Sequence, residues 1–96
     1  ITTSIESTIL NAGGVNNFLD LTYLSIANLT STAMRVDIRD ATAGTIRKIY
    51  VIPANNTLAI PFTSPWAQIE SNNNWTLSSM SAGNIFVNVQ AAITNW

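Results

Sequence analysis

The sequence predicts an all-β fold: a single small β-sandwich, or partly open barrel, of about seven mostly antiparallel strands. Three observations carry this. Apolar side chains recur with a period of two, and turn-forming clusters interrupt the chain roughly every 8–12 residues, as in sandwich folds. No window of useful length shows the 3.6-residue period of a helix.

Taken in order, the first β-rich run lies at residues 5–10 and the next at 21–30. Met34, Val36 and Ile38 then alternate with Arg35, Asp37 and Arg39, which makes a strand with a charged outer face. Residues 45–52 form a fourth run. Leu58, Ile60 and Phe62 alternate with Thr57, Ala59 and Pro61, and Pro61 marks a sheet edge because it cannot donate to a ladder. Residues 75–80 follow. In residues 85–93 the odd positions are Ile, Val, Val, Ala and Ile, and only Phe86 breaks the alternation. Between these runs lie Asn11-Ala12-Gly13-Gly14, Ala41-Thr42-Ala43-Gly44, Pro53-Ala54-Asn55-Asn56, Asn72-Asn73-Asn74 and Ser81-Ala82-Gly83-Asn84. Gly and Asn tolerate positive φ and Pro presets the first turn position, so each cluster has a mechanical reason to bend the chain. Residues 1–20 read as an N-terminal strand or arm and residues 21–96 as the sandwich domain.

Residues 35–48 and their flanks predict a hairpin. Matching the apolar faces puts Ile38 near Ile49 and Val36 near Val51, with a loop around Ala43-Gly44. Six of the nine charges (Arg35, Asp37, Arg39, Asp40, Arg47, Lys48) then sit on one hairpin. They serve either as a solvated edge that discourages aggregation or as a rim that orients a partner. Arg35 and Arg39 are the candidate contacts in the second case.

Composition narrows the function. The chain has 96 residues, 4 cations and 5 anions, for a formal net charge of -1. Only 9% of residues are charged, against the roughly 25% usual in soluble domains; Ser, Thr and Asn make up about a third of the chain. Four cations are too few for most nucleic-acid-binding folds. With no His and no Cys, the usual zinc, haem and iron–sulfur ligands are missing, and no cofactor is expected. No apolar run approaches the ~20 residues that span a bilayer, and the chain shows no charged-then-apolar leader, so no targeting segment is expected within it. Lys and Glu lose rotamer entropy and hydration when packed, so a surface without them buries readily against neighbours. It also lacks the charge that keeps a free monomer soluble. Both properties suit a protein inside an assembly.

No catalytic constellation is present in the sequence. Ser is abundant, but a nucleophile needs a base, and there is no His and one Lys. Asp37 and Asp40 have Arg neighbours that would keep both ionised, and Glu6, Asp20 and Glu70 are isolated. Asn72-Asn73-Asn74 beside Glu70 is oxygen-rich, but one carboxylate is thin for calcium and a turn explains the run. The Asn-x-Thr matches Asn28-Leu29-Thr30, Asn55-Asn56-Thr57 and Asn74-Trp75-Thr76 are expected by chance in such a composition. Trp66, Trp75 and Trp96 each stand at a strand boundary or terminus. Either Trp66 and Trp75 cap the two ends of the sandwich core, or one or more of the three anchor contacts, as Trp often does at binding hot spots, with Trp96 the strongest candidate. Ile5, Ile9 and Leu10 are the corresponding candidates in the N-terminal segment.

The run from Met34-Arg35-Val36-Asp37-Ile38-Arg39-Asp40 to Ala41-Thr42-Ala43-Gly44-Thr45 resembles small β-sandwich structural proteins of tailed bacteriophages. So do Pro53-Ala54-Asn55-Asn56-Thr57, the stretch from Leu58 through Pro61-Phe62 to Pro65-Trp66, and Asn74-Trp75-Thr76-Leu77 through Val89-Gln90. The resemblance covers roughly residues 21–93 and rests on turn chemistry. It implies a virion component, most simply a capsid cement or decoration protein on the outer head shell, assembled in the host bacterial cytoplasm. Its partners would be the major capsid protein and copies of itself, with no nucleic acid and no membrane. Two alternatives stay open: a tail, baseplate or fibre component, and a carbohydrate-binding module using Trp66 or Trp75 as a stacking platform.

Overall fold

The computed structural model describes residues 6–79 and 83–95. It contains seven strands: β1 (Ser7–Leu10), β2 (Asn17–Asn28), β3 (Met34–Arg39), β4 (Ile46–Ile52), β5 (Asn56–Trp66), β6 (Trp75–Ser79) and β7 (Ile85–Asn95). They form a four-stranded sheet, β1-β6-β3-β4, and a three-stranded sheet, β5-β2-β7. Every ladder is antiparallel, as the predicted sandwich requires. Strand β2 runs from Asn17 without a break at residue 20, and β1 is an edge strand of the larger sheet, paired with β6.

The core lies between the sheets. Leu19, Leu21, Leu24 and Ile26 of β2 meet Met34, Val36 and Ile38 of β3, with Ile52, Trp75, Leu77 and Ile85 completing the buried cluster. Each fully buried aliphatic side chain contributes about 1.5–3 kcal/mol relative to exposure. The alternation read from residues 34–38 puts Met34, Val36 and Ile38 inward, as expected. In β7, Ile85, Val87, Val89 and Ala91 also turn inward. Ile93 pairs with Leu19 at the far end of this edge strand and stays 67% exposed. Pro61 sits on β5, an edge strand of its sheet, in agreement with its missing donor.

The predicted hairpin register is corrected by one residue. Val36 pairs with Tyr50 and Ile38 with Lys48, while Ile49 faces Asp37 and Val51 faces Arg35. The cause is a bulge next to Arg39, which pairs with Ile46 and leaves Arg47 as the extra residue. A one-residue slip turns every side chain to the other face. Tyr50 and Ile52 therefore pack on the core, and Ile49 and Val51 are exposed on the outside. The hairpin turn bends at Ala43, which has φ 56°, and closes with the Gly44 N–H donating to Ala41 O at 3.0 Å. Gly44 eases a close approach: a Cβ there would lie 3.1 Å from Ala41 O, tighter than most such contacts.

The two ends of the sandwich are tied differently. At one end buried Asn28 donates through Nδ2 to Thr32 O, Ile52 O and Pro53 O at 2.8, 3.0 and 3.3 Å. Its Oδ1 accepts from the Thr30 N–H and hydroxyl. At the other end the segment after β5 folds back over the core. Gln68 accepts from Leu19 N–H at 2.9 Å and donates to Asn73 O at 2.8 Å. Beside it, the Trp75 indole N–H donates to Leu19 O at 2.8 Å.

Candidate functional site

Two surfaces differ in chemistry from the rest. The first is the outer face of the three-stranded sheet. Side chains alternate along each strand, so the core-facing set of β2 leaves Tyr23, Ser25 and Ala27 outward. Ladder partners share a face. Pro61, Ala59 and Thr57 therefore flank them on β5, and Gln90, Asn88 and Phe86 on β7. No charged residue is among these nine. Ser25, Ala27 and Ala59 keep the centre low, while Tyr23 and Phe86 stand at either end. Phe86 is 65% exposed. The nearest charge on this face, Asp20, lies towards the end of the sheet. Its carboxylate accepts from the Thr94 hydroxyl at 2.7 Å and the Gln68 N–H at 3.0 Å.

The second surface is a cleft of ≈ 430 Å³ where edge strands β4 and β5 face each other across the sandwich. Tyr50, Phe62 and Trp66 wall it, and Arg47 and Lys48 line one side. Trp66 is half-buried at the end of β5 and fixed by its neighbours. Its ring lies 5.7 Å from Phe62 and 5.0 Å from Trp75, with the Arg47 guanidinium 5.0 Å from its centroid. Arg47 is itself held, donating from Nη1 to Asp40 Oδ2 at 2.6 Å and from Nη2 to Ala67 O at 3.3 Å. Burial raises the Tyr50 phenol above its ordinary pKa of 10.0.

The outer face of the four-stranded sheet is charged, and its charges are engaged. Arg35 pairs with Asp37 at 3.0 Å. Arg39 donates to Gly44 O and to the Ser78 hydroxyl, both at 3.0 Å. Glu6 accepts from the Ala43 N–H and from the Thr76 hydroxyl. Arg35 and Arg39 thus brace this face on the charged hairpin predicted from the sequence.

The predicted contact residues scatter. Ile9 and Leu10 pack against the core from edge strand β1, and Ile5 and Trp96 lie outside the described residues. Trp75 is 0% exposed with its indole satisfied. Its expected use as a contact anchor or stacking platform is corrected: β6 is an inner strand, and Trp75 projects from it into the core. Trp66 alone of the described tryptophans reaches a surface. The oxygen-rich loop behaves as a turn, with Asn72 at φ 59° and Asn74 donating to the Thr8 and Thr42 hydroxyls. Among the described residues no group of three or more His, Cys, Asp or Glu could hold a metal ion, and no helix is long and apolar enough to cross a membrane.

The sequence reading omitted Tyr23, Tyr50 and Lys48 from the candidate residues. For Phe86 a signal did exist, because it is the one large apolar residue out of phase in its strand. For the β4–β5 cleft there was none, since the cleft is made by two strands from different sheets. No protein-family model, curated protein or solved structure matches the chain.

Proposed function

We propose that this chain is a non-enzymatic structural protein that docks into a larger assembly through the outer face of its three-stranded sheet. The observation that supports this best is the absence of charge from that face, in the nine positions centred on Tyr23, Ser25 and Ala27. An exposed face normally gathers Lys and Glu, and interface cores are depleted of them. Here the uncharged positions lie between two aromatic residues, Tyr23 and Phe86, of the kind enriched in interfaces. The flat centre suits a partner of matching flatness, and the neutral surface imposes little desolvation cost.

The resemblance to small phage structural proteins supplies the assembly: a phage particle, with this chain bound outside the head shell and bridging subunits of the major capsid protein. A small rigid domain bridging subunits stabilises a closed lattice, and many copies make weak contacts sufficient. The test is quantitative mass spectrometry of purified particles from the source culture. A copy number equal to that of the major shell protein, or a simple fraction of it, is expected. A few copies per particle would move the chain to the tail or a vertex, and its absence from particles would overturn the reading.

A further inference from the structure

We propose that the cleft between β4 and β5 is a binding site for an acidic saccharide, with a sugar ring against the Trp66 wall and its carboxylate at Lys48. This inference rests on a different surface from the docking face and does not depend on it.

The wall is built in advance of any ligand. Trp66 is held between Phe62, Trp75 and the Arg47 guanidinium, so little side-chain freedom remains to be lost on binding. Trp75 shows what a tryptophan used only for packing looks like here: fully buried, with its N–H donated to Leu19 O. Trp66 is half-exposed, and its indole N–H has no acceptor among the described residues. The same holds for the Tyr50 hydroxyl, the Ser64 hydroxyl and the Lys48 ammonium, which all belong to residues lining the cleft. None of these is a buried atom left without a partner: they face water in the open cleft, and a ligand's hydroxyls can take the place of that water. An aromatic wall beside several unpaired hydroxyl and N–H groups matches a polyol. Its C–H face packs against the part of the Tyr50, Phe62 and Trp66 wall that lines the cleft, and its hydroxyls exchange hydrogen bonds with the polar groups. The volume falls within the usual range for small-molecule sites.

The charge balance selects an acidic sugar. Arg47 is neutralised by Asp40, and no carboxylate lines the cleft. Lys48 therefore leaves it with one uncompensated positive charge. A single ammonium matches a single carboxylate, whereas the dianion of a phosphate monoester would be only half neutralised. The cleft lies open along two strand edges, which admits an internal residue of a chain as well as a free end.

The experiment is calorimetric titration of the intact protein with trisaccharides of galacturonic acid, glucuronic acid and N-acetylneuraminic acid. Neutral galactotriose and uridine monophosphate serve as comparisons. At least one acidic trisaccharide should bind saturably, at least about tenfold tighter than galactotriose and than the nucleotide. Lys48→Gln, at an exposed side chain without a partner among the described residues, should weaken that binding by about tenfold or more and leave the thermal transition in place. Trp66→Phe should weaken it further, with folding checked by circular dichroism. Failure of all three acidic sugars to bind would overturn the proposal. So would equal binding of galactotriose, tighter binding of the nucleotide, or an unchanged affinity in Lys48→Gln.

Discussion

The two sheets spend their polar residues in opposite ways. On the four-stranded sheet, Arg35, Asp37, Arg39 and Glu6 are tied to one another, to Ser78 and Thr76, or to the hairpin turn. The nine central positions on the outer face of the three-stranded sheet include Thr57, Ser25, Asn88 and Gln90 and no charge. Exposed ion pairs add at most about 1 kcal/mol each, so the first sheet's charges do little for stability. They do keep that face hydrated. The difference teaches that a low charge count need not be spread evenly. Charge is concentrated on one side of the sandwich, and the central positions of the other side carry none.

This comparison makes substitutions separable into those that break the sandwich and those that affect only its uncharged face. The largest effect is expected for Trp75→Ala, which empties the core between the sheets and frees the Leu19 carbonyl. It should cost about 3–5 kcal/mol in chemical denaturation. Asn28→Ala removes the network that closes the opposite end and strands several backbone groups. A loss of about 2–3 kcal/mol is expected by the same measurement. A result near zero there would mean that the closed end is held by packing alone.

Alkaline pH gives a smaller effect. The Tyr50 phenol has its pKa raised by burial in the folded state. Its contribution is fully present below the unfolded value of about 10 and is lost as pH rises through the raised folded value, because only the unfolded chain ionises readily in between. Thermal unfolding of Tyr50→Phe should therefore decline less steeply than the parent above about pH 10. The smallest stability change belongs to Phe86→Ala, within about 0.5 kcal/mol. In the same variant, occupancy on particles should fall about tenfold or more, as for an interface anchor. Loss of stability without loss of occupancy would make Phe86 a packing residue and undo the contrast between the sheets.

Much of the fold is legible in the sequence, and the reasons are local. The alternation in residues 34–38 and 85–91 has a single apolar phase, so the buried face follows directly. Asn55 and Asn72 take the left-handed conformation that their turn clusters imply. The register of β4 is not legible, because Ile46-Arg47-Lys48-Ile49-Tyr50-Val51-Ile52 is apolar in both phases. Only the bulge at Arg47 and the pairing of Arg47 with Asp40 decide between them. Trp66 and Trp75 look alike in sequence, each at a strand boundary. Their fates diverge because β6 is an inner strand and β5 is an edge strand. The uncharged face required the pairing of β5, β2 and β7 to be known before nine separated residues became one surface.

The most direct test of that surface is the particle occupancy of the double variant Ala59→Lys/Asn88→Lys, measured beside its thermal unfolding. These side chains flank Ser25 on either side of the central strand and point away from the core. The account predicts a folded protein, with stability within about 1 kcal/mol of the parent, that no longer accumulates on purified particles. A folded variant that still occupies particles at the parental copy number would contradict it.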